Sequence, residues 1–297
     1  MGMGQDVAQQ FPEAKHVFEA IDDALGVGLS RLMWEGPEEE LTLTHNAQPA
    51  ILAHTLAVHA VVRNVLDPQS AAGHSLGEYS AYRTAAALEL ADVARLVRRR
   101  GELMLQAGRQ RPGTMTAVLG LETQLVEQLC AASSRDGQVV VAANVNAPDQ
   151  TVISGDPGAV EAAGVSCKEA GAKRVLPLKV SGAFHSPLMG PAEVGLREEL
   201  GQVAFAEPAF PIIANASAEP VHDSGTAKQL LGEQLTSPVR WVESMVRAAA
   251  DADDEVRFVE LGPGKVLCGL LKRIERNADS VSLGNAGDIQ AFLEEVG

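Results

Sequence analysis

The chain has 297 residues, 46% of them hydrophobic and 21% charged, with a formal net charge of −15. That length supports a sizeable core, as one large domain or a large one with a smaller insertion. The acidity argues against nucleic acid or an anionic membrane as the main partner; no apolar run reaches transmembrane length, and the start carries no signal peptide.

From Met1-Gly2-Met3-Gly4 the chain runs into a helical pattern through Phe11, and residues 14–25 continue it with Val17, Phe18, Ile21 and Leu25 on one face. A helix is expected after Pro49, carrying His54 and His59. These are five apart, so they do not share a face as metal ligands would. Ser70-Ala71-Ala72 is a poor strand by propensity, lacking β-branched residues. It leads into Gly73-His74-Ser75-Leu76-Gly77 and then a helix rich in small residues over 78–88. A serine with glycines at i−2 and i+2 is the pattern of a nucleophile elbow, a strand-to-helix turn that pushes Oγ out toward a substrate. Such a turn is expected to tolerate no Cβ at either glycine. The spacing alone also fits a glycine-rich turn with an exposed serine.

Strands are expected over 114–121, 138–145, 150–154 and 174–180, with helices over 122–132 and 157–170. That βαββαβ order is the ferredoxin-like unit. It reads as a small subdomain, residues 113–180, inserted into an α/β body of residues 1–112 and 181–297. In the body, strand-like 256–261 and 281–283 flank a Gly262-Pro263-Gly264 turn and a helix from Lys265, with a closing helix after them. Strands alternating with helices predict a mainly parallel sheet. The Walker spacing is absent around Gly264-Lys265, so this is a tight turn and not a phosphate loop. Cys130, Cys167 and Cys268 are scattered, odd in number and in no CxxC pair, which reads as free thiols in a reducing cytoplasm.

A serine nucleophile needs a base. Of the seven histidines, His185 has the most telling place, in a loop after a strand and the kink Ser181-Gly182. His74, next to the serine, is expected to shape the site and not to act as base. Arg98, Arg99 and Arg100 look like a solvated charge run, but helical spacing separates them. Arg100 is four after Leu96, three after Val97, and three and four before Leu103 and Met104, which puts it on the apolar stripe. An inward guanidinium needs an internal carboxylate or the carboxylate of a ligand, and its planar fork suits the latter.

Several stretches together resemble one family, the malonyl-CoA:acyl-carrier-protein transacylases of bacterial fatty acid synthesis, which are related to polyketide acyltransferase domains. They are Gly73-His74-Ser75-Leu76-Gly77-Glu78, Arg100-Gly101-Glu102-Leu103-Met104, Asn144-Val145-Asn146-Ala147-Pro148-Asp149, Ala183-Phe184-His185 and Glu260-Leu261-Gly262-Pro263-Gly264. The resemblance implies an α/β-hydrolase-like body with a ferredoxin-like insertion. Ser75 then corresponds to the nucleophile, His185 to the general base and acid, and Arg100 to the partner of the malonyl carboxylate. It makes the Leu76 N–H an oxyanion donor and Gln234 the residue whose backbone carbonyl orients the histidine. Phe184 corresponds to the malonyl-preferring form of its motif, and Met104 and Asn144 are placed with these residues at the substrate. The implied partners are acyl carrier protein and malonyl-CoA, with no cofactor, no metal, a cytoplasmic location and a monomeric state. Arg95, Arg98, Arg99, Lys168, Lys173, Arg174, Lys272 and Arg273 are candidates for a carrier-protein patch, or simply solubilise the surface.

Members of that family open with a strand and a Gln-containing turn that supplies a second oxyanion donor. Neither precedes Met1-Gly2-Met3-Gly4 here, so either the chain was started at an internal methionine or it is a shortened relative. The alternatives to malonyl transfer are a polyketide-type acyltransferase, a serine thioesterase or hydrolase, which an inward Arg100 disfavours, and a poorly active carrier-binding paralogue.

Overall fold

A computed structural model describes residues 1–252 and 256–297. The strands among them are β1 Ala71–Ala72, β2 Thr114–Leu119, β3 Val140–Ala147, β4 Gln150–Gly155, β5 Arg174–Pro177, β6 Ile212–Ile213, β7 Pro220–Val221, β8 Arg257–Leu261 and β9 Asp279–Leu283.

The four middle strands form one antiparallel sheet in the order β3-β4-β2-β5, the ferredoxin-like arrangement expected of a βαββαβ unit. Its helices, Thr123–Ser133 and Pro157–Glu169, bury Val126, Cys130, Val160 and Cys167 against Val118, Val140 and Ile153. The last strand is shorter than expected and ends at Pro177.

The rest of the chain is a helical mass around short strands. β1 pairs in parallel with β6, and β6 pairs antiparallel with β7; β8 and β9 form a separate parallel pair. The single mainly parallel sheet expected for the body is therefore in two pieces. A cavity of about 1310 Å³ lies between them, lined by Ala71, Ala72 and Ile213 on one side and Phe258, Val259 and Leu261 on the other. The main core packs Phe18 and Ile21 from the helix Pro12–Leu25 against Leu52 and Leu56 and against Val93, Leu96 and Val97.

Two helix expectations are corrected. The helix expected after Pro49 begins at Thr44 and runs through Pro49 to Val62. Proline has no N–H, so the carbonyl of His45, four residues earlier, loses its helical donor. Arg98 Nη1 supplies one at 3.1 Å and also donates to Asn46 Oδ1 at 2.5 Å. Arg98 is thus a structural bridge and not part of a solvated run. The helix after the elbow, Gly77–Thr84, stops short of residue 88 because Ala86 turns into the left-handed region at φ 57°.

The two units are joined by backbone. Val239 N–H donates to the Ala143 carbonyl at 2.8 Å, and Val145 N–H donates to the Val239 carbonyl at 2.9 Å. Trp241, Met245, Leu270 and Leu271 pack with Ala147 across the same junction. No helix among the described residues is long and apolar enough to cross a membrane.

Candidate active site

The parallel register of Ala72 with Ile213 carries the next residues of both strands out side by side, Gly73 to Ser75 on one and Ala214 to Asn215 on the other. Asn215 then clamps the elbow. Its Oδ1 accepts from Ser75 N–H at 2.7 Å, and its Nδ2 donates to the Gly73 carbonyl at 2.8 Å. Ser75 sits at φ 52°, a left-handed conformation that costs a non-glycine residue on the order of 1–3 kcal/mol and persists only when its surroundings hold it. Here Asn215 holds the N–H while Gln234 Nε2 donates to the Ser75 carbonyl at 3.0 Å.

The two glycines of the motif are not equivalent. A Cβ on Gly73 would lie 1.9 Å from the Gly77 carbonyl carbon and 2.4 Å from Glu78 N, all backbone that cannot give way. A Cβ on Gly77 would meet nothing within 4 Å, which corrects the expectation that neither glycine tolerates one. Gly73→Ala is therefore expected to lower stability by about 1–3 kcal/mol. Gly77→Ala, in the first turn of a helix, should leave it level or raise it by up to about 1 kcal/mol. Urea-unfolding midpoints of the two variants check the contrast, and equal losses would contradict it.

His185 is buried in the loop before the helix Gly190–Gln202 and also has a positive φ, 56°. Its Nε2 lies 2.8 Å from Ser75 Oγ and its Nδ1 lies 2.9 Å from the Gln234 backbone carbonyl. A carbonyl only accepts, so Nδ1 carries the proton and the Nε2 lone pair faces the serine hydroxyl. Burial, reinforced by the nearby Arg100 cation, pushes the imidazole down to about 3 against the Gln234 hydrogen bond, so the ring stands neutral and ready to accept a proton.

Arg100 is 1% exposed, in the helix Leu90–Gln110, with its apolar neighbours Leu96, Val97, Leu103 and Met104 buried around it. Nη2 donates to Ser75 Oγ at 3.0 Å and to Gln234 Oε1 at 2.9 Å, and Nη1 donates to Gln48 Oε1 at 2.5 Å. The guanidinium carbon stands 5.5 Å from the centre of the Tyr79 ring. Among the described residues no carboxylate forms an ion pair with it, and its Nε has no hydrogen-bond partner. A cation is thus held inside the protein, within reach of the nucleophile, by neutral groups.

The Leu76 N–H starts the elbow helix and donates to no backbone or side-chain acceptor among the described residues, whereas the Ser75 N–H is taken by Asn215. Phe184 is half-buried beside His185 and packs against Met115, Ala117, Ala143 and Val152 at the junction of the two units. Two expected site residues lie elsewhere. Met104 is buried in the core, and its sulfur accepts from Gln48 Nε2 at 3.2 Å, so it reaches Arg100 only through Gln48. Asn144 lies on β3, where its backbone bridges Val239, and no hydrogen bond joins its side chain to Ser75, His185 or Arg100. A helical stripe or a matching motif shows that such a residue is buried, not which neighbour it meets. His74 turns away from the nucleophile: its Nε2 bonds Asn146 Oδ1 at 2.8 Å and its ring lies 5.4 Å from that of Trp241. The large cavity between the sheets reaches Gly73, His74, Leu76 and Gly77 but none of Ser75, His185 and Arg100, so it lies behind the elbow and not at the reacting atoms.

Three further members of the cluster are Gln48 and Asn215, which no sequence signal picks out, and Glu78, which closes the elbow motif but is given no role by it. Glu78 is fully buried in the first turn of the elbow helix, and its Oε2 accepts from Asn215 N–H at 3.0 Å and Gln234 Nε2 at 2.6 Å. Burial lifts its carboxyl to about 7, against those two hydrogen bonds and Arg100. Of the cations proposed for a carrier-protein patch, several are engaged within the chain: Arg99 pairs with Glu102 and Glu199, and Arg273 with Asp149.

A serine, a neutral imidazole and a buried guanidinium within about a hydrogen bond of one another form a site for acyl transfer involving an anionic acyl group. Comparison with known proteins agrees with that chemistry. A family model described as "Acyl transferase domain" matches residues 1–287. The malonyl CoA-acyl carrier protein transacylase of Bacillus subtilis is 41% identical over 295 residues, spanning 99% of this chain and 92% of that protein. An acyl carrier protein S-malonyltransferase from Vibrio cholerae superposes with a TM-score of 0.93 at 40% identity, covering 98% of this chain and 95% of that one. A malonyl-transacylase solved in complex with its type II polyketide acyl-carrier protein superposes with a TM-score of 0.95 at 37% identity, covering 99% and 95%. With its elbow serine, its histidine held by a carbonyl and relatives this close over nearly their whole length, the chain belongs to the acyl transferase family, among its malonyl-CoA:acyl-carrier-protein transacylases.

Proposed function

We propose that this enzyme moves a malonyl group from malonyl-CoA to the phosphopantetheine thiol of acyl carrier protein, through an ester on Ser75. The observation that carries the reading is Arg100, a buried cation without a carboxylate partner among the described residues, whose Nη2 lies 3.0 Å from the nucleophilic oxygen. Ser75 Oγ attacks the thioester carbon as His185 Nε2 takes the hydroxyl proton. The oxyanion of the tetrahedral intermediate faces the Leu76 N–H. His185 returns the proton to the departing CoA sulfur, leaving malonyl-Ser75. The carrier-protein thiol then gives its proton to His185 and attacks the ester, and collapse returns the proton to Ser75 Oγ. Arg100 holds the free malonyl carboxylate through both halves by a charge-assisted pair. Gln234 orients His185 with its backbone carbonyl and Arg100 with its side chain.

In this reading Phe184 walls the acyl site, and the division into a body (residues 1–112 and 181–297) and an insertion (residues 113–180) places the site at their junction. The free thiols Cys130, Cys167 and Cys268 fit a reducing compartment, the cytoplasm. Intact-mass measurement after mixing with malonyl-CoA should show one malonyl group retained by the wild type, absent in Ser75→Ala and discharged by holo-acyl carrier protein. Release of free malonate without carrier protein would make the enzyme a hydrolase instead.

A further inference from the structure

Ser75 stands between His185 and Arg100 on a backbone that would relax if released. At φ 52° it is in the left-handed region, and letting φ return to negative values would turn the peptide unit between His74 and Ser75. The Ser75 carbonyl, on the other side of the residue, is held by two donors, Gln234 Nε2 at 3.0 Å and the Glu78 N–H at 3.2 Å. The His74–Ser75 unit is held differently. Its carbonyl takes the Gly77 N–H at 2.9 Å, inside the turn itself, and its N–H goes to Asn215 Oδ1 at 2.7 Å. Among the described residues Asn215 is thus the one tie from that unit to the rest of the fold, and its Nδ2 also holds the Gly73 carbonyl at 2.8 Å. The Ser75 N–H can only donate and the Gly73 carbonyl can only accept, so the carboxamide fits one way round. Asn215 is itself immobilised: it is 0% exposed, its N–H donates to Glu78 Oε2 at 3.0 Å, and its carbonyl accepts from the Arg240 N–H at 3.0 Å.

We propose that Asn215 is a positioning residue for the reaction: by holding the Ser75 N–H and the Gly73 carbonyl together it keeps the elbow turned so that Ser75 Oγ meets His185 Nε2, and leaves the next N–H, that of Leu76, for the oxyanion. It serves every acyl group that passes over Ser75 and takes no part in choosing among them, which falls to Arg100. The proposal rests on Ser75 as the nucleophile of the malonyl-transfer reading. A protonated carboxyl offers the same donor and acceptor pair as a carboxamide, whereas a carboxylate only accepts and would face the Gly73 carbonyl with a second lone pair. In Asn215→Asp the elbow should therefore be clamped only while the introduced carboxyl keeps its proton. Burial and the neighbouring Glu78 both raise that carboxyl, and Arg100, across Ser75, opposes them. Arg240 is engaged by Glu243 and the Ser217 carbonyl, and burial holds His74 and His185 below the usual imidazole range, so both rings stay uncharged through neutrality.

The test measures kcat and KM with malonyl-CoA and acetyl-CoA, and the rate at which a serine-directed fluorophosphonate labels Ser75, each per folded enzyme with a thermal melt at every pH. Asn215→Ala should lower kcat and the labelling rate together by about 10²-fold, as expected for a misplaced nucleophile, with KM and the malonyl-to-acetyl ratio little changed. Asn215→Asp should be as slow as Asn215→Ala on the alkaline side and regain kcat as the pH is lowered through neutrality. Wild type is its reference, because Glu78, lifted to about 7, titrates in both enzymes. A side chain that only supports the fold would cost melting temperature and give no acid recovery of kcat in the folded enzyme. Kinetics and labelling within about threefold of wild type in folded Asn215→Ala would overturn the proposal, since a 1 Å displacement costs far more. So would a loss confined to malonyl-CoA, which would place the effect at Arg100, or the absence of acid recovery in Asn215→Asp, which decides the matter if Asn215→Ala does not fold. Wild-type enzyme that takes the fluorophosphonate on Ser75 but no malonyl group would overturn the transfer reading alone, since the labelling rates still read the elbow.

Discussion

Replacing His185 with alanine is expected to slow formation of malonyl-Ser75 by roughly 10²–10⁴-fold while the fold is retained. Its Nε2 is the base at 2.8 Å from Oγ, and no other imidazole among the described residues bonds the nucleophile. Stopped-flow acylation by malonyl-CoA, read by CoA release, checks this. A loss under tenfold would mean that the proton leaves by another route. The pH dependence has a definite sign. In the free enzyme burial and the Arg100 cation disfavour imidazolium and hold His185 at about 3. A bound malonyl carboxylate offsets the Arg100 charge and removes part of that pressure, so His185 titrates higher in the complex. The profile of kcat, which reports the complex, should therefore lose its base at higher pH than that of kcat/KM, which reports the free enzyme. Acid limbs that coincide, or lie in the reverse order, would contradict Arg100 as the carboxylate partner.

Arg100→Ala is expected to lower the preference for malonyl over acetyl thioester by roughly 10–10²-fold, the worth of one charge-assisted hydrogen bond of about 1.5–3 kcal/mol. The enzyme should become an indifferent acyltransferase and not a dead one, because Ser75 and His185 remain paired. Arg100→Lys should restore little, since an ammonium cannot serve Gln48, Gln234 and a carboxylate with one planar fork. Removing the guanidinium also leaves two buried carboxamide oxygens without a donor, at about 1–3 kcal/mol each. A thermal-melt control is therefore needed beside the kinetics. Unchanged discrimination in a folded Arg100→Ala enzyme would sink its assignment to the substrate.

Residues whose importance is written in local pattern were legible. Ser75 shows itself by the glycines around it, and Arg100 by standing alone among apolar neighbours on one face of a helix. The ferredoxin-like unit was legible because its strands and helices follow one another with short turns, so chain order already fixes which strands pair. Gly77, by contrast, looked as constrained as Gly73, but only the path of the backbone shows that Gly73 is pressed against the helix start while Gly77 faces open space. Helix termini depart from the local pattern where a tertiary donor replaces a local one, as Arg98 does for the carbonyl released by Pro49.

What the sequence by itself determined is the chemistry: a serine on an elbow, a loop histidine and an inward arginine, with the family motifs that assign them to malonyl transfer. What only the tertiary structure decided is how that chemistry is held. Asn215 meets Ser75 across 140 residues of chain, Glu78 meets Gln234 across 156, and Gln48 meets Arg100 across 52. A buried polar side chain must find a partner, but its identity depends on which elements pack together, and no spacing along the chain records that. For the same reason Met104 and Asn144, credible by motif, stand outside the reacting cluster, and Glu78, to which the motif assigns no role, stands within it.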